Sequence, residues 1–240
     1  MSNYYNAFNQ VGTFFGAVML QADTAIGGHR SVFVDLLGNK NELDAPSWGG
    51  QLQNPFKRPA KFYAGDLFEL RYDEKGESPK LYLLKMFKVK STSDNTTIVL
   101  YKDGYSHVPC VGDVLMKAPK TFATKGKGYT VNNIEEAEDS WTITLAGAID
   151  AVADGEILIE AASESTTALP LLQTVNSVAP CDADFVYMPT TNVTTKSKDA
   201  KMFYTPMMHG IMYKHKMTCG KLPECVEALN KSRFNGWYEV

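Results

Sequence analysis

Four groups of residues in this 240-residue chain have side chains able to do chemistry. The first is His209, His215, Cys219 and Cys225, in the order His-x5-His-x3-Cys-x5-Cys. Structural zinc sites favour cysteine pairs two to four residues apart, so this spacing is off-pattern, and the two cysteines read instead as small apolar residues, Cys225 on the inner face of a helix. The second is His107 with Cys110, which in contact would form a nucleophilic dyad. No helix N-terminus or third orienting group is apparent beside them, so the expectation is a loop leading into a strand. The third is the acidic run Glu135, Glu136, Glu138 and Asp139. Paired carboxylates hydrolyse glycosides or hold calcium, but the calcium-loop spacing and its glycine are missing, and a charged hairpin tip is the simpler reading. The fourth, Lys125-Gly126-Lys127-Gly128, lacks the GxxxxGK[ST] frame and the following helix of a phosphate loop.

The elements that would position these groups are mainly β. Leu81–Val89 is an apolar run, Ser93-Asp94-Asn95 a turn cluster and Thr96–Tyr101 a β-branched run, together reading as a hairpin. Trp141, Ile143 and Leu145 alternate with threonines and so share one face of a strand, joined back to Tyr129–Ile134 by a turn at Glu138-Asp139-Ser140. Glu156–Ala161 reads as a short buried strand, and Ala146–Ala153 as one helical turn. A local pattern recurs at Ala64-Gly65-Asp66-Leu67-Phe68 and Val111-Gly112-Asp113-Val114-Leu115, more loosely at Ala153-Asp154-Gly155-Glu156-Ile157. Glycine permits a positive φ and the acid bonds nearby amides, so each would turn the chain into a following strand.

Three regions follow. Residues 1–60, rich in Asn, Gln, Gly and aromatics, read as an extended arm with a few short strands, or as a strand pair joining the main sheet. Residues 61–165 read as a small β-barrel or sandwich. Residues 166–240 are mixed: Met202–Tyr204 and Gly210–Met217 suit strands, and one short helix begins at Pro223, with Leu222, Val226 and Leu229 on one face.

The formal net charge is −3. Residues 61–130 hold twelve Lys or Arg against eight Asp or Glu, whereas 131–180 hold nine carboxylates and no Lys or Arg. No basic stripe suits nucleic acid, and an acidic face suits solubility or docking on a basic neighbour. The four cysteines are too few for a disulfide scaffold. The longest apolar run, Phe14 to Leu20, is too short to span a membrane, and Met1 to Gln10 has no Lys or Arg, so export through a membrane is not expected.

The motifs Tyr63-Ala64-Gly65-Asp66-Leu67-Phe68, Lys102-Asp103-Gly104-Tyr105-Ser106-His107 before Val111-Gly112-Asp113-Val114-Leu115, and Ala153-Asp154-Gly155-Glu156-Ile157-Leu158 resemble the β-domain of tailed-phage head-fibre and capsid decoration proteins. His209-Gly210-Ile211-Met212-Tyr213 ahead of Leu222-Pro223, a short helix and an aromatic ending is similar to head-fibre-type proteins of crAss-like phages of gut Bacteroidetes. The resemblance covers about two thirds of the chain. It implies a non-enzymatic virion protein, made in the host cytoplasm and placed on the head exterior. Its partners would be the major capsid protein and neighbouring virion subunits, in a homo-oligomer with a trimer favoured and with no cofactor, metal, nucleic acid or membrane. Aromatic residues concentrate near the chain ends, and aromatics anchor interfaces, so the expected capsid contacts are Tyr4, Tyr5, Phe8, Phe14, Phe15, Trp48, Trp237 and Tyr238. The alternative is a glycan-binding fibre or tail adhesin that uses exposed aromatics.

Overall fold

The computed structural model describes residues 50–53, 55–56, 61–71, 80–179, 182–184, 201–204, 212–213, 218–227 and 237–238. The strands before the first long hairpin are β1 (Gly50–Gln53), β2 (Lys61–Phe62), β3 (Leu67–Arg71) and β4 (Lys80–Leu83). Then come β5 (Met86–Thr92), β6 (Thr97–Tyr101), β7 (Val114–Lys117), β8 (Gly126–Glu136), β9 (Ser140–Leu145) and β10 (Ile157–Glu160). The last are β11 (Ser165–Ala168), β12 (Ser177–Val178), β13 (Ala183–Asp184), β14 (Lys201–Tyr204), β15 (Met212–Tyr213) and β16 (Trp237–Tyr238). A helical turn covers 224–227, its Val226 and Glu227 amides both bonded to the Pro223 carbonyl. The fold is mainly β.

The seven-stranded sheet runs β11-β8-β7-β10-β5-β6-β9, and β8 also pairs with β9, so β5 to β10 close into a ring of antiparallel pairs. Closure satisfies strand edges that an open sheet would expose. The ring is filled. Phe87, Val89, Ile98, Leu100, Leu115, Val131, Trp141, Ile143, Leu145 and Leu158 form one buried cluster with Ile149 and Val152. Strand alternation puts these residues on one face, and the expected register of Trp141, Ile143 and Leu145 holds. So does the hairpin returning from β8.

β10, and the parts of β5 and β7 beside it, are buried on both faces. Met86 of β5, Met116 of β7, and Ile157 and Ile159 of β10 point outward into a second cluster with Leu67, Leu172, Val175, Leu222, Cys225 and Val226. Leu222 and Val226 are thus both buried, while Leu229 lies outside the described residues. The second sheet runs β12-β3-β4-β1-β14. Phe62, Phe68, Leu70, Leu81 and Leu83 pack with Phe56, Cys110 and Ala179 in a third cluster.

Two expectations are corrected. Leu81–Val89 is two strands, not one: β4 pairs with β3 and β1, the chain breaks at Leu84-Lys85, and β5 enters the ring. A continuous apolar run cannot reveal that its halves belong to different sheets. Ala146–Ala153 is irregular rather than a helical turn. Its Ile149 amide bonds the Asn95 carbonyl at the β5–β6 turn, and Gly147 lies so close to Tyr129 that an added Cβ would sit 2.6 Å from its ring. These contacts hold the segment across the ring, with Ile149 and Val152 in the interior cluster. Of the segment read as an arm, β1 pairs with β4 and β14, and Phe56 is fully buried.

Candidate functional site

The recurring Gly-acid pattern is one structural device built three times. Each is a turn whose glycine has positive φ: +90° at Gly65, +88° at Gly112 and +77° at Gly155. In each, the acid's amide bonds the carbonyl three residues back, from Asp66 to Tyr63, Asp113 to Cys110 and Glu156 to Ala153. The acid's carboxylate accepts from the amide of that same residue, at 2.7, 2.9 and 2.7 Å respectively. The glycine amide and the acid carbonyl then clasp a single residue elsewhere: Ala179, Val131 and Val89 in turn. A side chain with a Cβ is strained at such φ values, which explains the glycine, and the reciprocal bonds explain the acid.

Two of these acids are buried, and each faces a cation or a histidine. Asp113 Oδ2 lies 2.8 Å from Lys85 Nζ, and Glu160 Oε1 lies 2.9 Å from the same nitrogen. The Lys85 side chain is fully buried, and those of Asp113 and Glu160 are 1% and 15% exposed. Register explains the meeting. β10 lies between β5 and β7, with Ile159 opposite Met86 and Glu160 opposite Leu115. The end of β10 therefore sits beside the residues that enter β5 and β7, Lys85 and Asp113. Burial pushes the Lys85 ammonium down, but Glu160 and Asp113 outweigh it and hold it above the ordinary lysine value.

The second acid, Asp66, is fully buried with His107 and Thr218. The Met86 amide donates to His107 Nδ1 at 2.9 Å, so that nitrogen carries no proton and the ring proton belongs on Nε2. Nε2 faces Asp66 Oδ2 at 3.0 Å, off the line of a well-formed hydrogen bond. The Thr218 hydroxyl donates to Asp66 Oδ1. Burial pushes the Asp66 carboxyl up, but the His107 ring, the Thr218 hydroxyl and the Tyr63 amide together hold it below the usual carboxylate range. Phe56 joins the two cages: its ring centroid is 5.8 Å from that of His107 and 5.8 Å from Lys85 Nζ.

The residues first singled out for chemistry fall as follows. His107 is occupied by Met86 and Asp66, and the Cys110 thiol donates to the Phe56 carbonyl, so each half of the suggested dyad has other work. Cys225 is buried in the second apolar cluster, which pushes its thiol up to about 12. Cys219 adopts a φ of +67° in the turn Thr218–Gly220, and His209 and His215 lie outside the described residues. Among the described residues no group of three metal-ligating side chains converges. The acidic run is a hairpin end in which Glu136 pairs with Lys102 and Asp139 with Lys90. Lys125 precedes β8, where Gly126, Lys127 and Gly128 open the strand, and an added Cβ at Gly128 would meet those of Ala161 and Ala168 at 2.8 and 3.0 Å. Tyr4, Tyr5, Phe8, Phe14, Phe15 and Trp48 lie outside the described residues. Trp237 and Tyr238 form β16, parallel to β15.

Part of the charge asymmetry of the sequence is met within the chain. Of the nine carboxylates over 131–180, Glu136, Asp139, Glu156 and Glu160 pair with Lys102, Lys90, Lys117 and Lys85, all from the lysine-rich stretch before them. No family model, curated protein or solved structure matches the chain.

Proposed function

We propose that this protein is a non-enzymatic structural subunit of a tailed-phage head, decorating the capsid exterior as a homo-oligomer, with a trimer favoured. The reading grows from the motif resemblance, and one observation supports it most: the ring is filled with apolar side chains, and the ionisable groups beside it are turned into the fold. A barrel of this kind has its lumen spent on stability, which leaves the outer surface as the place where it acts. Such a subunit stabilises the assembled lattice because it binds that state alone. Residues 1–49 and the aromatic chain end would make the capsid contacts.

The glycan-binding alternative requires aromatic rings open to one side. Among the residues whose side-chain burial is described, Tyr101 is the exposed large ring, at 37%, and Lys88 and Lys90 lie over it at 5.3 and 5.9 Å.

The test is assembly. The full-length chain is expected in purified particles, and a variant lacking residues 1–25 is expected to keep its β signature by circular dichroism yet fail to join them. Incorporation of the truncated chain at the wild-type level would remove the arm from the argument. Absence of the full-length chain from particles would overturn the virion role.

A further inference from the structure

We propose that Lys85 and Asp113 are the precursors of an intramolecular amide cross-link, formed by the protein itself with Glu160 as the proton carrier.

Three features of the cluster carry this. The amine nitrogen and a carboxylate oxygen are 2.8 Å apart, with the lysine side chain fully buried and that of Asp113 1% exposed. Reacting groups held in contact and sealed from water gain the advantage of an intramolecular reaction, and the reverse hydrolysis lacks its co-reactant. A second carboxylate, Glu160, lies 2.9 Å from the same nitrogen, within direct proton-transfer range. The Cys110 amide donates to Asp113 Oδ2 at 2.9 Å, so the oxygen that gathers charge during attack already has a fixed donor. The same amide bond occurs in the other two Gly-acid turns, so what sets this cluster apart is the second carboxylate on a fully buried amine.

The step balances without any further reactant. The Lys85 ammonium passes one proton, through Glu160, to Oδ1 of Asp113, giving a neutral amine beside a neutral acid. Burial favours that exchange because the medium solvates charge poorly, while the two carboxylates oppose it by holding the ammonium, so the neutral pair is the minor form from which attack proceeds. Nζ attacks Cγ, and the C–N bond forms as the carbonyl electrons move onto Oδ2, which the Cys110 amide holds. Glu160 takes a second proton from the nitrogen and returns it to Oδ1. The Cγ–Oδ1 bond then breaks, water leaves, and Oδ2 remains as the amide oxygen. Nothing is oxidised or reduced. The bond would join the residue entering β5 to the residue entering β7, across the end of β10, and so tie two strands of the ring together over the one between them.

The experiment is the intact mass of the purified full-length protein under denaturing conditions, followed by peptide mapping. The expected mass is below the sequence mass by one water molecule, with tandem spectra joining the Lys85 and Asp113 peptides. Lys85→Arg and Glu160→Gln are each expected to fold, by circular dichroism, and to keep the full mass. A wild-type mass equal to the sequence mass overturns the proposal and leaves the cluster an ion pair. A water loss that maps to the Asp103-Gly104 or Asp154-Gly155 steps, where backbone cyclisation removes water, overturns it equally. Complete water loss in Glu160→Gln removes Glu160 from the step.

Discussion

The turn at Asp113 and the turn at Glu156 have the same backbone and different surroundings. Both place a glycine at positive φ, both bond the acid back to the residue three before it, and both clasp one residue of a ring strand. Each acid also meets a lysine at 2.8 Å. Asp113 and Lys85 are buried, whereas the side chains of Glu156 and Lys117 are 32% and 34% exposed. One local motif therefore appears once as the floor of a sealed charged cluster and once as a surface turn. The backbone bonds give what the two have in common, a sharp entry into a strand. The cost of losing the acid is decided by water.

The widest separation between the two turns should come from deleting the acids. Asp113→Ala leaves the Lys85 ammonium buried with Glu160 beside it and frees the Cys110 amide. Breaking a buried pair from one side costs about 3–5 kcal/mol, and where wild type carries the proposed Lys85–Asp113 bond the variant loses that constraint as well. Urea unfolding of wild type and variant measures it. A loss no larger than that of a surface pair would mean that water reaches the cluster and that burial is not what distinguishes the two turns.

Asp66 offers a middle case, an acid as buried as Asp113 with a histidine in place of the lysine. Its folded-state pKa lies below the ordinary value. It therefore binds a proton less readily when folded, and its contribution is present above the unfolded value of about 3.9 and lost as the pH falls through the folded one. The groups facing it are His107, the Thr218 hydroxyl and the Tyr63 amide. Melting temperature against pH is expected to fall more steeply in wild type than in Asp66→Asn below about pH 4. Parallel curves would show that Asp66 does not carry the acid sensitivity.

How much of this was legible in the sequence divides along the same line. The strict alternation of Trp141, Ile143 and Leu145 gave the buried face of β9, because one side of that strand is apolar and the other carries threonines. The three Gly-acid turns were readable because turn chemistry is local. Their counterions were not, since Lys85 is 28 residues from Asp113 and only β10, lying between β5 and β7, brings them together. Leu81–Val89 carries two charges, Lys85 and Lys88, and the sequence does not distinguish the one at the break between sheets from the one within β5. Glu160 read as a charged strand end, and nothing in its neighbours announces the lysine it meets.

The glycines test the shared part of the motif. An alanine at Gly155 would meet no atom within 4 Å, so the substitution isolates the backbone cost of φ +77°. That cost is about 1–2 kcal/mol for a residue with a Cβ. Thermal unfolding of Gly155→Ala reads it. A neutral effect would mean that the turn relaxes freely, and that the bonds between Gly155, Glu156 and Val89 do not hold it in shape.

The smallest effect is expected where the acid itself is removed from that same exposed turn. Glu156→Ala loses a contact to Lys117 and one backbone bond, from the Ala153 amide at 2.7 Å. Solvent replaces both partners there, and exposed pairs contribute between nothing and about 1 kcal/mol. The lowered Glu156 pKa does not change this, because a group exposed to water is screened by it. Run at low and at high salt, Glu156→Ala should approach wild type as salt rises, while Asp113→Ala should stay as far below it, since a sealed pair is screened little. If Glu156→Ala instead cost as much as Asp113→Ala, the reciprocal turn bonds would be the source of stability in both places, and the contrast between buried and exposed copies of the motif would collapse.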